Sequence, residues 1–112
     1  MLESKLIKYL ADNTAYPVSN ETPRHKPREY ILIQRTAGGV TDLIKSARYA
    51  VQSISAVSKM HAAQMNEVVK EVMGDFETDP DISQCSLNSD YDFTNPVTKE
   101  YRYQAVFDIV YF

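Results

Sequence analysis

The stretch Tyr30 to Asp42, YILIQRTAGGVTD, joins a run of aromatic and β-branched residues to the only adjacent glycine pair in a chain with three glycines. Glycines after an apolar strand can cradle a phosphate or turn a hairpin, and the spacing decides between them. A phosphate loop requires G-x-x-x-x-G-K-[ST], and a dinucleotide site requires G-x-G-x-x-G at the start of a helix. Neither spacing occurs. The residues that follow, Lys45 to Ser55 (KSARYAVQSIS), set Ala47, Tyr49 and Val51 against Arg48 and Gln52. That alternation is a strand's. Two strands joined by Gly38-Gly39 predict a β-hairpin over 29–55, with the glycines supplying positive φ at the crossing. The unbroken apolar run Tyr30 to Ile33 predicts burial on both faces.

Working outward, Leu2, Leu6, Ile7 and Leu10 recur at helical spacing opposite Glu3, Lys5 and Lys8, which predicts a helix over 1–12. The segment 13–28 carries Pro17, Pro23 and Pro27, a density that forbids helix and central strand. It reads as a stiff extended arm and, being long for an idle connection, as a contact element. Downstream, Ser58 is a good N-cap for a helix over 58–75, whose inner stripe is Ala62, Met65, Val69, Val72, Met73 and Phe76. Gln64, Glu67, Lys70 and Glu71 form its wet side, and Gly74 with the following acids ends it.

A second hairpin over 82–112 follows. Ile82 to Phe93 is one strand, Asn95-Pro96 is turn chemistry, and Tyr101 to Phe112 places Tyr101, Tyr103, Ala105, Phe107, Ile109 and Tyr111 on one face. The whole reads as a single α+β domain over 1–112. A four-stranded, mainly antiparallel sheet of two hairpins carries an N-terminal helix and a central amphipathic helix. The closing IVYF reads as an exposed strand edge that needs a partner to cover it.

The formal charge of −3 argues against a general nucleic-acid binder. Its distribution is more informative. From Arg24 to Arg48 six basic residues face two acids, a balance of +4; from Glu67 to Asp92 eight acids face Lys70 alone, a balance of −7. Two solvated surfaces would suffice, but so would a basic side that meets the acidic side of another copy. The single cysteine, Cys85, permits no intramolecular disulfide, which fits a reducing, cytoplasm-like compartment. MLESKLIKYLADN interleaves charges with leucines and does not read as a signal peptide, and no window approaches the roughly 18 apolar residues of a membrane span.

Catalytic chemistry finds no constellation. His25 and His61 lack metal-ligand spacing, no G-x-S-x-G elbow exists, and Cys85 reads as a structural thiol. The run Asp75, Glu77, Asp79, Asp81 lacks the glycine and terminal glutamate of a calcium loop. The expectation is a non-enzyme with no metal and no cofactor.

The pattern P..R.YILIQRTAGG......SARYAVQSIS.....A..M...V...M resembles the tail terminator family of long-tailed bacteriophages, the tail completion and head–tail joining proteins. The resemblance rests on Pro23 and Pro27, Tyr30 to Arg35, Thr36 with Gly38-Gly39, Ala47 to Ser53, and Ala62 to Val72. Ala37, between Thr36 and Gly38, departs from the tighter turn of that pattern. The resemblance implies a homo-oligomeric ring, usually hexameric, that caps the tail tube and halts its polymerisation. Its implied partners are the major tail tube protein and the head-completion connector, with no membrane and no sequence-specific nucleic acid. It implies a place in the virion, at the head–tail junction, after assembly in the host cytoplasm. Arg24, Arg28, Arg35 and Thr36 are the expected basic and rim contacts, and Glu71, Asp75, Asp79 and Asp81 their counterparts. The competing expectation is a small regulatory or ligand-binding α+β domain of ferredoxin-like type, with its ligand between strands.

Overall fold

The computed structural model describes residues 2–94, 97 and 100–112. Helix α1 (Leu2–Asn13) is followed by strands β1 (Val18–Ser19), β2 (Glu29–Thr41) and β3 (Ile44–Ser55). Helix α2 (Lys59–Gly74), a short 3-10 turn (Phe76–Thr78), β4 (Ile82–Asp92) and β5 (Tyr101–Tyr111) complete the chain. The fold is α+β, as expected, with five strands in the order β1-β2-β3-β5-β4. The fifth strand lies in the proline arm, where β1 runs parallel to β2 and the Ile31 amide donates to the Pro17 carbonyl at 2.8 Å. The arm is thus tied down at its middle. The predicted Asn95-Pro96 turn lies outside the described residues.

Both helices pack on one face of the sheet. There Leu6 and Leu10 of α1 and Met65, Val69 and Met73 of α2 meet Ile31, Ile33, Tyr49, Val51, Ala105, Phe107 and Ile109. Each such aliphatic or aromatic side chain, fully buried, contributes roughly 1.5–3 kcal/mol. Tyr9 locks the two helices together, stacking 4.8 Å from Phe76 and donating its hydroxyl to the Val72 carbonyl at 2.6 Å. Ser58 caps α2 as predicted, its side chain accepting the His61 amide. Asn66 joins the buried stripe, which the apolar pattern alone did not include. The opposite face carries a smaller cluster of Tyr30, Leu32 and Ile54. Burial on both faces of Tyr30 to Ile33 is therefore observed.

Two expectations are corrected. The glycine pair does not turn the hairpin: Gly38 and Gly39 lie within β2, opposite Ala47 and Ser46, and neither has positive φ. The crossing is Asp42-Leu43, with φ of 51° and 68°, between the paired residues Thr41 and Ile44. Such a two-residue turn matches the right-handed twist of its strands. The extra length comes from a bulge: Arg35 faces Tyr49 and Ala37 faces Arg48, so Thr36 is the added residue. The second correction concerns the closing strand, which is not an edge. β5 lies between β3 and β4, and Tyr111 pairs with both Lys45 and Ile82. The edges belong to β4 and to β2 beyond Leu32, because β1 covers only Ile31 and Leu32.

Candidate interaction surfaces

The basic arm and the acidic run sit at opposite ends of α2. The Arg28 carbonyl accepts the Ala56 amide at 2.8 Å, which fixes the arm beside the entry to α2. Nearby, His61 Nδ1 lies 3.3 Å from Glu29 Oε2, which also accepts the Ser55 hydroxyl. Arg24 and Arg28 are exposed and form no ion pair among the described residues. Lys26, between them, reaches Glu100 at 3.7 Å, a carboxylate that also accepts the Tyr30 hydroxyl. The helix that follows has 16 residues, which corresponds to about 24 Å of rise before the acidic end.

At that far end the predicted acids divide into two groups. Glu71 and Asp75 are exposed and form no ion pair among the described residues. Asp79 and Asp81 are already paired with Lys5 of α1, at 2.8 and 3.0 Å. The Lys5 hydrogen bond holds the Asp79 carboxyl below its ordinary value, and the Asp81 amide reinforces this. Those two carboxylates anchor α1 to the loop after α2, so they are not free counter-charges. Much of the remaining acidic surplus is spoken for as well. Lys70 pairs with Glu67 and Asp90, Lys59 with Asp92, and Arg48 with Asp108.

Arg35 and Thr36 stand apart from the arm. Arg35 lies seven positions after Arg28, about 23 Å of extended chain, so the three arginines are not one patch. Arg35 folds back along its own strand, with Nε 3.4 Å from the Ala37 carbonyl and its guanidinium over Gly38. Thr36 forms the bulge and donates its hydroxyl to the Arg48 carbonyl at 3.4 Å. Both therefore mark the open edge of β2, not a hairpin crossing. A bulge and a charge there discourage indiscriminate edge pairing.

A polar row that the sequence reading missed crosses the helix-free face. Gln52 donates to Gln104 at 2.8 Å and to Gln34 at 3.4 Å, accepts from Arg102 at 2.7 Å, and Gln104 donates to the Tyr91 hydroxyl. Gln52 is only 3% exposed, yet its amide is satisfied on both sides. The available signal was a glutamine adjoining the apolar run of each strand, Gln52 after Tyr49 to Val51 and Gln104 before Ala105 to Phe107. Cys85 is partly buried, and desolvation followed by the Glu77 charge pushes its thiol up to about 12. A thiol so shifted is a poor nucleophile at neutral pH. Among the described residues, no group of three His, Cys, Asp or Glu side chains converges as a metal site would require. No helix among the described residues is long and apolar enough to cross a membrane. Compared with protein-family models and with curated proteins, the chain matches none.

Proposed function

We propose that this chain is a structural assembly protein that forms a ring, hexameric by the resemblance of its sequence, at the end of a phage tail tube. In this role it stops tube polymerisation and offers a docking face to the head connector. One observation supports the reading above the others. Unpaired cations, Arg24 and Arg28, sit at one end of α2 and unpaired carboxylates, Glu71 and Asp75, at the other. Opposite charges at opposite ends make a head-to-tail contact between copies, and such contacts close into rings when the rotation permits. The arm that presents the arginines is stiffened by proline and hydrogen-bonded at Arg28, so little conformational freedom is lost on docking.

The test is sedimentation of the purified protein, alone and with major tail tube subunits, at low and at near-molar salt. The proposal expects association beyond a dimer, or capture on tube ends, that weakens as salt rises. A protein that stays monomeric at every salt and ignores the tubes would remove this reading.

A further inference from the structure

Two features of the hairpin, an exposed leucine at its tip and a glycine pair in its strand, together point to one partner. Leu43 adopts φ of 68° and is 93% exposed. A non-glycine residue in left-handed conformation carries strain that persists for a reason, and a leucine in water gains nothing in return. Val40 and Ile44 beside it are exposed too, so the tip is an apolar knob.

The second feature is the glycine pair. A glycine inside a strand is unfavourable and is found where φ must be positive, where a Cβ would clash, or where something approaches closely. Neither glycine has positive φ. A Cβ on Gly39 would meet nothing within 4 Å, and one on Gly38 would run into the guanidinium of Arg35. Gly38 therefore makes room for Arg35 of its own strand, while Gly39 leaves the surface of β2 bare with nothing of its own chain against it. The pair lines an open recess of about 410 Å³ with Ala37, Ser46, Arg48, Asp108 and Val110, and with Ala47 and Ile109, which are buried in the core.

We infer that the recess receives the hairpin tip, Leu43 with Ile44, of a second copy of this chain. Charge agrees with shape. Arg48 borders the recess and uses Nε on Asp108 at 2.7 Å, leaving both terminal guanidinium nitrogens without a partner among the described residues. Asp42, next to Leu43 at the tip, has no ion pair among the described residues. Seating Leu43 of one copy brings its Asp42 to Arg48 of the other. This contact does not rest on the terminator reading, because any self-assembling role could use it.

The experiment uses a Cys85→Ser background and two chains, Leu43→Cys and Gly39→Cys, mixed under mild oxidation. The expected product is a disulfide between the two chains, not reproduced when Gln64→Cys, on the exposed side of α2, replaces Gly39→Cys. Two further variants read the equilibrium by sedimentation. Leu43→Asp and Gly39→Val, both at positions with open space around them, should keep the monomer's unfolding midpoint or raise it while weakening association at least tenfold. Absence of the specific disulfide, or association unchanged in both variants, overturns the contact. If association survives Leu43→Asp and Gly39→Val yet falls in Arg28→Glu, this contact fails while the ring reading stands.

Discussion

Lys5 Nζ lies 2.8 Å from Asp79 Oδ2, joining the first turns of α1 to the loop that leaves α2. Neutralising Asp79 should therefore loosen α1 from the body. Asp79 titrates below its ordinary 3.8, because of the Lys5 hydrogen bond first and the Asp81 amide second. A carboxyl lowered on folding lends stability above its unfolded value and loses it as the pH falls toward the folded one. Asp79→Asn should thus melt below wild type at pH 7, with the gap closing as the pH falls below 3.8. A gap of unchanged size at about pH 2 would assign the loss to packing.

The same pairing separates the acids by role. Glu71→Lys should weaken self-association in dilute salt, whereas Asp79→Asn should leave it almost untouched. Arg28→Glu should cost about tenfold in affinity, near 1.4 kcal/mol, and the deficit should shrink as salt shortens the screening length. Combining Arg28→Glu with Glu71→Lys should restore part of the loss if the two side chains face each other across the contact. Sedimentation equilibrium over a salt series measures all four variants.

Two serines on the same face of β3 should respond with opposite signs. Ser53 is fully buried and its hydroxyl has no partner among the described residues, whereas Ser55 donates to Glu29 and accepts the Val57 amide. Leaving a buried hydroxyl unsatisfied is unfavourable, and a bond to a charged group is worth more than a neutral one. Ser53→Ala should stabilise by about 1 kcal/mol, and Ser55→Ala should destabilise by about 1–2 kcal/mol. Urea unfolding of both variants decides this, and a shared sign would refute it.

The hairpin–helix–hairpin order was legible because its signals are local. Ser58 announces the helix, the stripe Ala62, Met65, Val69, Met73 repeats at helical period, and Ala105, Phe107, Ile109 alternate. What escaped was register and pairing, which depend on residues far apart. Glycine outbids Asp-Leu as a turn signal, so the local pattern points to Gly38-Gly39 for a crossing that lies at Asp42-Leu43. Strand order is a property of the sheet, so nothing within Tyr101 to Tyr111 shows that this last strand is interior. Likewise, Asp79 and Asp81 looked available because nothing in their neighbourhood shows that Lys5, at the other end of the chain, reaches them.

Alkaline stability should be limited by two weak acids that resist ionising, the buried Tyr49 and the partly buried Cys85. Desolvation and then Glu77 push the Cys85 thiol up to about 12, and desolvation and then Glu3 do the same for the Tyr49 phenol. The native state then holds protons that the unfolded chain releases above 9.0 for cysteine and 10.0 for tyrosine. Stability is full below those values and drains as the pH rises toward the folded ones. Urea midpoints should fall between pH 9 and 12, less steeply in Cys85→Ala, and wild-type Cys85 should react slowly with thiol reagents until the chain unfolds. Equal slopes for wild type and Cys85→Ala would dismiss the thiol's part.

The hairpin crossing offers the sharpest separation of folding from assembly. Asp42 and Leu43 both take positive φ, the geometry for which Asp-Gly is a preferred pair. Left-handed backbone costs a leucine roughly 1–2 kcal/mol, and glycine returns part of this as chain entropy. Leu43→Gly should therefore raise stability by about 0.5–1 kcal/mol, since the side chain it removes is 93% exposed and packs on nothing in its own chain. The same change deletes the apolar tip, so association should weaken while the melting temperature rises. A residue that served only the fold could not produce that opposition. If Leu43→Gly lowered the melting temperature, Leu43 would have a packing role in its own chain; if it left association intact, the tip would not be a docking element.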